Sequence, residues 1–295
     1  QHPTCLAMCF AKLVSSIIVL HEPASSISKI FFSTDMMCGW VDEGQVPATD
    51  MTRDVDVITQ SHSLIGKHII FGITGGIAAC DSVRIAREIR RHGAKPDVYM
   101  TDSATRIISR LAVEWGAQSK VNNEWSAEMS QLNPVDAILI CPASRNFISR
   151  FVHGMMDHPL LMACSAARSN AIPIILVPSM HNDLFDDPVT QDLLNKCENM
   201  GATIVLGDDE EGRIKQPTPK QVVAELCHNT NKSNTSLNIA ITLGANRAPI
   251  DAVRAIQNAS SGFTGWRIAE YMYRKGHSVT CIAGKTSASP EFKLP

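Results

Sequence analysis

The amino-acid sequence predicts an α/β protein with a doubly wound parallel sheet, followed by the start of a second α/β domain. Three observations predict this fold class. Short apolar segments alternate with segments of helical periodicity, Val, Ile and Leu occupy both parities of the apolar segments, and a polar stretch separates the first five of these segments from two more. Strands that are apolar on both parities must be covered on both faces, as in a parallel sheet between helical layers.

Five apolar segments predict the strands of the first domain, which we place at residues 67–228. They are "HIIFGIT" (68–74), "DVYMT" (97–101), "AILICPA" (137–143), "IPIILVP" (172–178) and "ATIVLG" (202–207). The segments between them fit helices. In "DSVRIAREIRRHGA", for example, Val83, Ala86 and Ile89 share one face, and Gly93 ends the helix. Alternation of this kind indicates right-handed crossover connections.

A polar linker at 229–236 leads into the second domain, placed at 237–295. Its strands are predicted at 237–244 and 278–284, with a helix at 264–276 between them. One such unit cannot bury both faces of its strands, so we expect this domain to be truncated or docked on something. Residues 1–66 are interpreted as an N-terminal extension whose structure the sequence determines poorly.

Composition limits the classes of partner. A net charge of −2 without a clustered basic face argues against nucleic-acid binding. The apolar stretch at 5–20 is interrupted by Lys12 and is too short to span a membrane. The nine cysteines include no C-x-x-C pair and no Cys/His cluster, which predicts reduced thiols in a cytoplasmic protein and no metal site. A small polar ligand or a protein partner is therefore expected.

The end of the first strand predicts an anion site. In open α/β sheets ligands bind beyond the carboxyl ends of the strands, and glycines there let the backbone approach a phosphate at a helix N-terminus. A tight turn without a ligand remains an alternative for this stretch. The candidate ligand-binding residues are Thr74, Gly75, Gly76, Ile77 and Ala78.

The end of the second strand leaves two cofactor classes open. Asp102 stands where a dinucleotide-binding protein has its acidic residue, although the turn is not G-x-G-x-x-G, so a nicotinamide cofactor stays an alternative. The hydroxyls of Thr101, Ser103 and Thr105 suit a phosphate or a flavin equally well. They favour a mononucleotide.

Two later strand ends are also polar. In "CPASRNFISR" (141–150), Pro142 closes the strand, and Ser144 and Asn146 face the same edge, with plain helix capping as the alternative. The next strand is followed by "VPSMHNDLFDDP" (177–188), which is unusually polar and aromatic for a connection.

These motifs, in order, resemble the homo-oligomeric, flavin-containing cysteine decarboxylase family. The motifs are T-G-G-I-A-A, M-T-x-x-A-T, P-A-S-x-N, P-S-M-H-N-x-L-F and E-E-G-R-I-K. The form with His after Met is similar to the archaeal-like branch of the bifunctional enzymes of coenzyme A biosynthesis, which fuse phosphopantothenoylcysteine decarboxylase to phosphopantothenate–cysteine ligase. The resemblance implies a flavodoxin-like or Rossmann-like flavoprotein domain.

A second motif set resembles the opening of the ligase domain of the same fusion. It lies within residues 239–265, "IAITLGANRAPIDAVRAIQNASSGFTG". The residues in register are Arg247, Pro249, Ile250, Asp251, Val253, Arg254, Ile256, Asn258, Ser260, Ser261, Gly262 and Gly265.

The resemblance implies a cofactor, a substrate and residue roles. FMN would place its phosphate on residues 75–78 near Thr101 and Thr105, and its ring against Pro142, Ala143, Ser144 and Asn146. Met180, His181 and Asn182 would bind the carboxylate of 4'-phosphopantothenoylcysteine, with His181 and Asn182 as catalytic candidates. The flavin would take a hydride from the carbon that bears sulfur, the neighbouring carboxylate would then leave as CO2, and the reduced flavin would return the hydride to give 4'-phosphopantetheine. Asn258 would act in the ligase part, which uses CTP or ATP with Mg when complete. The resemblance also implies a homo-oligomer.

The sequence departs from the family at three positions that bear on activity. No His occurs in 126–137, where the family has its catalytic base, and His153, His158 and His181 are candidate replacements. Gly76 replaces a Ser, and Arg145 replaces an Ala. Two alternatives follow: an impaired flavoprotein that acts as a regulatory or oligomer subunit, and another flavin enzyme of the same fold, such as a flavin prenyltransferase.

Overall fold

The computed structural model describes residues 17–20, 27–29, 54–210 and 213–294. The first two ranges are strands β1 (Ile17–Leu20) and β2 (Ile27–Lys29). The chain divides into two compact units: one spans residues 50–231, and the other combines the residues before 50 with those after 231. Most of the predicted N-terminal extension, and Glu211 and Gly212 of the E-E-G-R-I-K motif, lie outside the described residues.

The larger unit contains the predicted parallel sheet. Its strands are β3 (Ile69–Ile73), β4 (Asp97–Met100), β5 (Val121–Asn122), β6 (Ala137–Ala143), β7 (Ile174–Pro178) and β8 (Ala202–Ile204). Their order across the sheet is β5-β4-β3-β6-β7-β8, with every neighbouring pair parallel. After β3 the chain adds β4 and β5 on one side of β3, and it then crosses to the other side of β3 to form β6. This reversal is the switch point at which such sheets bind ligands.

Helices connect these strands. They are α1 (Ser82–Arg91), α2 (Asp102–Thr105), α3 (Arg110–Ala117), α4 (Arg145–Val152), α5 (Pro159–Ser169), α6 (Asn182–Phe185), α7 (Pro188–Asn199) and α8 (Pro219–Asn231). Short 3-10 helices cover Ile77–Asp81 and Ser130–Leu132, and a two-stranded hairpin joins β9 (Asp209–Glu210) to β10 (Arg213–Ile214).

Helix α8 runs three residues into the predicted linker, which is a correction to that boundary. The helix continues because its last turn has partners. The Asn229 side chain donates to the Glu225 carbonyl at 2.8 Å and accepts from the Thr203 hydroxyl at 3.0 Å, and the Thr230 hydroxyl donates to the Leu226 carbonyl at 2.6 Å.

The core of this unit lies on both faces of the sheet, as the apolar residues on both parities predict. Strand β3 is buried at every position. Phe71 and Ile73 pack with Ile85 and Ile89 of α1 on one face, whereas Ile70 belongs to a second cluster on the other face. Burying one such side chain contributes about 1.5–3 kcal/mol. The covered faces fix the sheet as a rigid base for the loops at its edges.

The smaller unit contains β11 (Asn238–Leu243), β12 (Arg247–Pro249), β13 (Ala255–Gln257), α9 (Phe263–Arg274) and β14 (Ser278–Ala283), together with β1 and β2. Four of its strands form a sheet in the order β14-β11-β1-β2. Strands β11 and β14 are parallel, as predicted for a βαβ unit, and β1 pairs with β11 in the antiparallel direction. Two strands from the predicted N-terminal extension thus widen this sheet.

Within the described residues, no helix combines the length and the apolar character that crossing a membrane requires.

Candidate functional site

The carboxyl edge of the larger sheet brings together the loops that follow β3, β4, β6 and β7. The first two loops are in direct contact: a Cβ atom on Gly75 would lie 2.4 Å from the Cβ and Oγ atoms of Ser103. The loop after β7 reaches the loop after β6, since the Ser179 amide donates to the Ala143 carbonyl at 3.2 Å. The sequence-predicted residues of the larger unit therefore share one edge.

The turn after β3 presents a row of unused donors. The amide N–H groups of residues 75–78 make no hydrogen bond to any described residue. Gly76 has extended backbone with φ −155° and ψ 151°, and it precedes the 3-10 helix that leads into α1. Ile77 is 82% exposed. Unpaired amides at the start of a helical segment form a site that an anion can occupy.

Thr74 has a structural role at this turn. Its buried hydroxyl donates to the Pro142 carbonyl at 2.8 Å and accepts from the Ser144 amide at 2.8 Å. Both hydrogen-bonding directions of this hydroxyl are therefore used. The Thr74 side chain positions the loops after β3 and β6 relative to each other, and ligand contact by Thr74 stays a prediction.

The hydroxyls after β4 also have partners. Thr101 Oγ1 and Ser103 Oγ are 3.1 Å apart, and the Thr105 hydroxyl donates to the Asp102 carbonyl at 2.8 Å. Strand β4 ends at Met100, so Asp102 is the first residue of α2 and does not close the strand. To bind a phosphate, the hydroxyl of Thr101 or Thr105 would have to give up its present hydrogen bond or contact the phosphate in addition to it.

The loop after β6 differs from the prediction at one residue. Pro142 does not close the strand, because β6 continues to Ala143, which pairs with Pro178 of β7 after an irregularity in register. The Cys141–Pro142 peptide bond is cis. Ser144 then caps α4 by accepting from the Phe147 amide at 3.4 Å, and Asn146 is exposed.

Arg145, which replaces the family Ala, forms an ion pair with Asp187. A guanidinium nitrogen of Arg145 lies 2.6 Å from Asp187 Oδ2, and both side chains are about 30% exposed. Asp187 is also the N-cap of α7, because its carboxylate accepts from the Val189 amide at 3.0 Å. The Val189 amide and the Arg145 guanidinium hold the pKa of Asp187 below its usual value.

The loop after β7 carries the predicted substrate residues. Met180 packs against the core cluster on its side of the sheet. His181 caps α6, with Nδ1 accepting from the Asp183 amide at 3.4 Å and lying 3.2 Å from Asp183 Oδ2, and its side chain is 67% exposed. Asn182 is the first residue of α6. The His181 side chain is therefore accessible to solvent at this edge.

The other two candidate histidines serve local structure. His158 caps α5 by accepting from the Leu160 amide at 3.1 Å, and burial lowers its pKa. His153 is the C-cap of α4, with Nδ1 2.7 Å from the Ser149 carbonyl oxygen. Of the three, His181 is the one in the loop predicted to bind the substrate.

Asn258 belongs to the smaller unit, where it is held by a reciprocal pair of bonds. Its Oδ1 accepts from the Asn246 amide at 3.2 Å, and its own amide donates to the Asn246 carbonyl at 3.4 Å. Close by in sequence, Asp251 accepts from the Arg254 guanidinium at 2.6 Å, which closes the turn between β12 and β13. These contacts fix the Asn258 backbone next to the hairpin.

The amino edge of the larger sheet has a cavity of about 540 Å³ that the sequence did not predict. Its lining residues are His68, Ile70, Asp97, Tyr99, Ser130, Asn133, Pro134, Val135 and Asp136. The sequence feature that marks this region is a pair of carboxylates, Asp97 at the start of β4 and Asp136 immediately before β6. None of the predicted site residues lines this cavity. Within 54–210 and 213–294, no His, Cys, Asp and Glu side chains cluster as metal ligands would.

Comparison with known proteins gives two family matches. Residues 57–231 match the family described as Flavoprotein, and residues 235–294 match the family described as DNA/pantothenate metabolism flavoprotein C-terminal domain.

Curated relatives include two proteins named Coenzyme A biosynthesis bifunctional protein CoaBC. The one from Thermococcus kodakarensis is 34% identical over 242 residues, which cover 79% of this chain and 60% of the relative. The one from Haemophilus influenzae is 33% identical over 237 residues, which cover 75% of this chain and 58% of the relative. The chain thus spans about three fifths of the length of these relatives.

Solved structures with a similar arrangement include two described as MrsD from a Bacillus species and the FMN-dependent cysteine decarboxylase SpaF. The first has a TM-score of 0.49 at 16% identity and covers 56% of this chain and 96% of MrsD. The second has a TM-score of 0.47 at 20% identity and covers 52% of this chain and 91% of SpaF.

Proposed function

The chain belongs to the flavoprotein family, and from this premise we propose that it binds FMN at the carboxyl edge of the larger sheet and decarboxylates 4'-phosphopantothenoylcysteine in coenzyme A biosynthesis. The observation that carries this proposal is the row of unpaired amides at residues 75–78, beside the sheet's switch point. The names of the curated relatives support the pathway.

The residues at this edge fit a flavin mononucleotide. The amides of 75–78 would hold the phosphate, and the backbone there is accessible because Gly76 leaves space: a Cβ atom at Gly76 would meet nothing closer than 3.7 Å. Thr101 and Thr105 lie in the neighbouring loop. The ring would lie against Pro142, Ala143, Ser144 and Asn146, where a buried strand end meets an exposed amide side chain.

The protein's own contribution is to bind and orient the substrate. When bound, FMN supplies hydride-accepting chemistry at the carbon that carries the thiol. His181 and Asn182 would donate hydrogen bonds to the substrate carboxylate from a loop that is anchored to the sheet by Met180. The imidazole of His181 is also the group best placed to exchange a proton with the substrate, because it is 67% exposed and lies in the loop predicted to bind the substrate.

The smaller unit is part of the same proposal. We propose that Asn258 serves the ligation of phosphopantothenate with cysteine, with CTP or ATP and Mg, in a protein that carries the whole ligase domain. This assignment is supported by the match at 235–294 and by the bonds that hold Asn258 against Asn246.

Assembly and location complete the proposal. A cytoplasmic homo-oligomer is expected from the resemblance, and sedimentation of the purified protein would measure its mass. A monomer at the concentration used for activity assays would contradict the proposed oligomer but not the proposed decarboxylation.

Release of CO2 from 4'-phosphopantothenoylcysteine by the FMN-loaded protein tests the proposed activity. We expect turnover, and we expect His181→Ala to lower kcat/KM about 100-fold, since general acid–base catalysis is worth about 10²–10⁴-fold. His153→Ala is the matched control, because that histidine is also exposed and also caps a helix, α4, but lies outside the loop after β7.

The same assay separates the alternatives. Tight FMN binding without CO2 release would identify a flavin-binding subunit and refute the enzyme. Absence of FMN binding would refute the cofactor site itself.

A further inference from the structure

We propose that the Arg145–Asp187 ion pair is a positioning element, which holds the substrate loop after β7 in register with the cofactor loop after β6. The proposal deepens the function proposed above and rests on it. The family resemblance places an Ala at position 145, so this pair is a feature of this chain and not of the family pattern.

The two residues occupy equivalent places in neighbouring connections. Arg145 directly follows Ser144 and is the first residue of α4, which follows β6. Asp187 directly precedes α7, which follows β7. Because β6 and β7 are adjacent parallel strands, the 2.6 Å contact joins the starts of two adjacent helices across the edge where the ligands are expected.

From Asp187 the connection continues to the predicted substrate residues. The first turn of α7 holds α6: the Thr190 hydroxyl donates to the Leu184 carbonyl at 2.5 Å, and the Gln191 side chain donates to the Phe185 carbonyl at 2.8 Å. Helix α6 has four residues, begins at Asn182 and is capped by His181. A helix this short has little stability of its own, so its placement depends on these contacts.

The geometry also explains why Asp187 is well suited to this task. Its carboxylate accepts at the same time from the Val189 amide at 3.0 Å, which orients the carboxylate, and binds Arg145 through Oδ2. Loss of the Arg145 partner leaves the cap intact but removes the charged contact between the start of α7 and α4, while the buried side chains of the two helices stay packed. Arg145 and Asp187 touch neither of the predicted reacting groups, and they act through α6 and α7.

The experiment compares Arg145→Ala, Asp187→Asn, the double variant and Arg145→Lys. Asn is as good an N-cap as Asp, so Asp187→Asn removes the charge and keeps the cap. Arg150→Ala is the matched control: it removes another ion pair of α4, to Asp157 at 2.9 Å and with similar exposure, at the far end of the same helix. Two readouts are used: hydrogen exchange of the amides of residues 182–186 in the FMN-loaded protein, and kcat and KM for 4'-phosphopantothenoylcysteine.

We expect Arg145→Ala and Asp187→Asn each to speed exchange at residues 182–186 about fivefold and to raise KM about fivefold, with kcat and the Kd of FMN within twofold of the wild type. The double variant should show no larger change than either single variant. Arg145→Lys keeps the positive charge and should keep the exchange rates and KM close to those of the wild type. Arg150→Ala should change neither readout. These magnitudes correspond to an ion pair at the upper end of the range for partly exposed pairs.

Equal behaviour of Arg145→Ala and Arg150→Ala in both readouts would overturn the proposal, and so would fully additive effects in the double variant. Failure of the wild type to release CO2 would refute the proposed activity instead. In that case the exchange rates alone would still decide whether the ion pair positions α6.

Discussion

The two edges of the same sheet differ in what they offer a ligand. The carboxyl edge has unpaired amides at residues 75–78 and loops that are tied to each other by Thr74, Ser179 and Arg145. The amino edge has a cavity of about 540 Å³, lined by Asp97 and Asp136 among others.

The difference teaches that a cavity and the groups that can bind an anion need not lie at the same place. An anionic cofactor needs donors and a low density of negative charge, and the amino edge offers carboxylates instead. The carboxyl edge offers backbone donors at a switch point, where the strands themselves aim the loops at one place. We therefore expect variants at the two edges to affect FMN binding very differently.

The largest effect is expected for Gly75→Val at the carboxyl edge. Its Cβ atom would lie 2.4 Å from Ser103, so the loops after β3 and β4 must separate. Overpacking of this kind costs about 1–3 kcal/mol, and we expect FMN affinity to fall about 100-fold in a fluorescence titration.

Gly76→Ala is the matched control for that variant. Gly76 has extended backbone, which any residue adopts, and its Cβ atom would meet nothing closer than 3.7 Å. A loss of affinity at Gly76→Ala as large as at Gly75→Val would show that crowding against Ser103 is not the cause.

Thr74→Val should destabilise the protein by about 2 kcal/mol and weaken FMN binding about tenfold. The isosteric change removes the hydroxyl that joins the Pro142 carbonyl to the Ser144 amide and leaves both groups without that partner. Urea unfolding measures the first effect, and the FMN titration the second. Thr74→Ser keeps the hydroxyl and should lose much less of either, whereas equal losses would argue against the hydrogen bonds as the cause.

Asp136→Asn at the amino edge should lower the free energy of unfolding by less than about 1 kcal/mol and leave the Kd of FMN unchanged. Asp136 accepts from Lys67 at 3.1 Å and from the His68 amide at 2.8 Å, but it is 35% exposed, so solvent weakens the pair.

The pH dependence of that contribution has a definite sign. Burial alone would raise the pKa of Asp136, but the His68 amide and the Lys67 ammonium together hold the pKa below the ordinary value of 3.8. Its contribution is therefore present at neutral pH and is lost as the pH falls below that value. A wild-type and variant stability difference that grows on acidification would contradict this account.

A small gain in affinity is expected for Gly76→Ser, which should tighten FMN binding about twofold to threefold. The position has room for a side chain, and a hydroxyl there would add one donor beside the row of amides. Gly76→Ala adds the same Cβ without the hydroxyl, so equal affinity of the two variants would show that the hydroxyl makes no contact.

Much of the fold could be predicted from the sequence. Segments such as 138–141 are apolar at every position, which is typical of a parallel strand that is covered on both faces. Strand β5 was missed, since Val121–Asn122 is too short to show a pattern. The segment predicted at 137–143 coincides with β6, but the prediction that Pro142 closes the strand was wrong, because Ala143 still pairs with Pro178 beyond the register irregularity, a tertiary effect that a Pro in the sequence cannot report.

The candidate site was predictable in position but not in the state of each side chain. The motifs located all four loops. The two hydrogen bonds of the Thr74 hydroxyl, however, join residues that are 68 and 70 positions apart, and Arg145 and Asp187 are 42 positions apart. Such partners depend on how the loops converge. The roles predicted for Met180, His181, Asn182 and Asn258 stay predictions.

Hydrogen exchange with and without FMN tests the central claim most directly, because it reads both edges in one experiment. We predict slower exchange at residues 75–78, 101–105 and 142–146 when FMN is added, and no change at 68, 97–99 and 130–136. Protection confined to the amino edge, or no protection at the carboxyl edge at saturating FMN, would contradict the account.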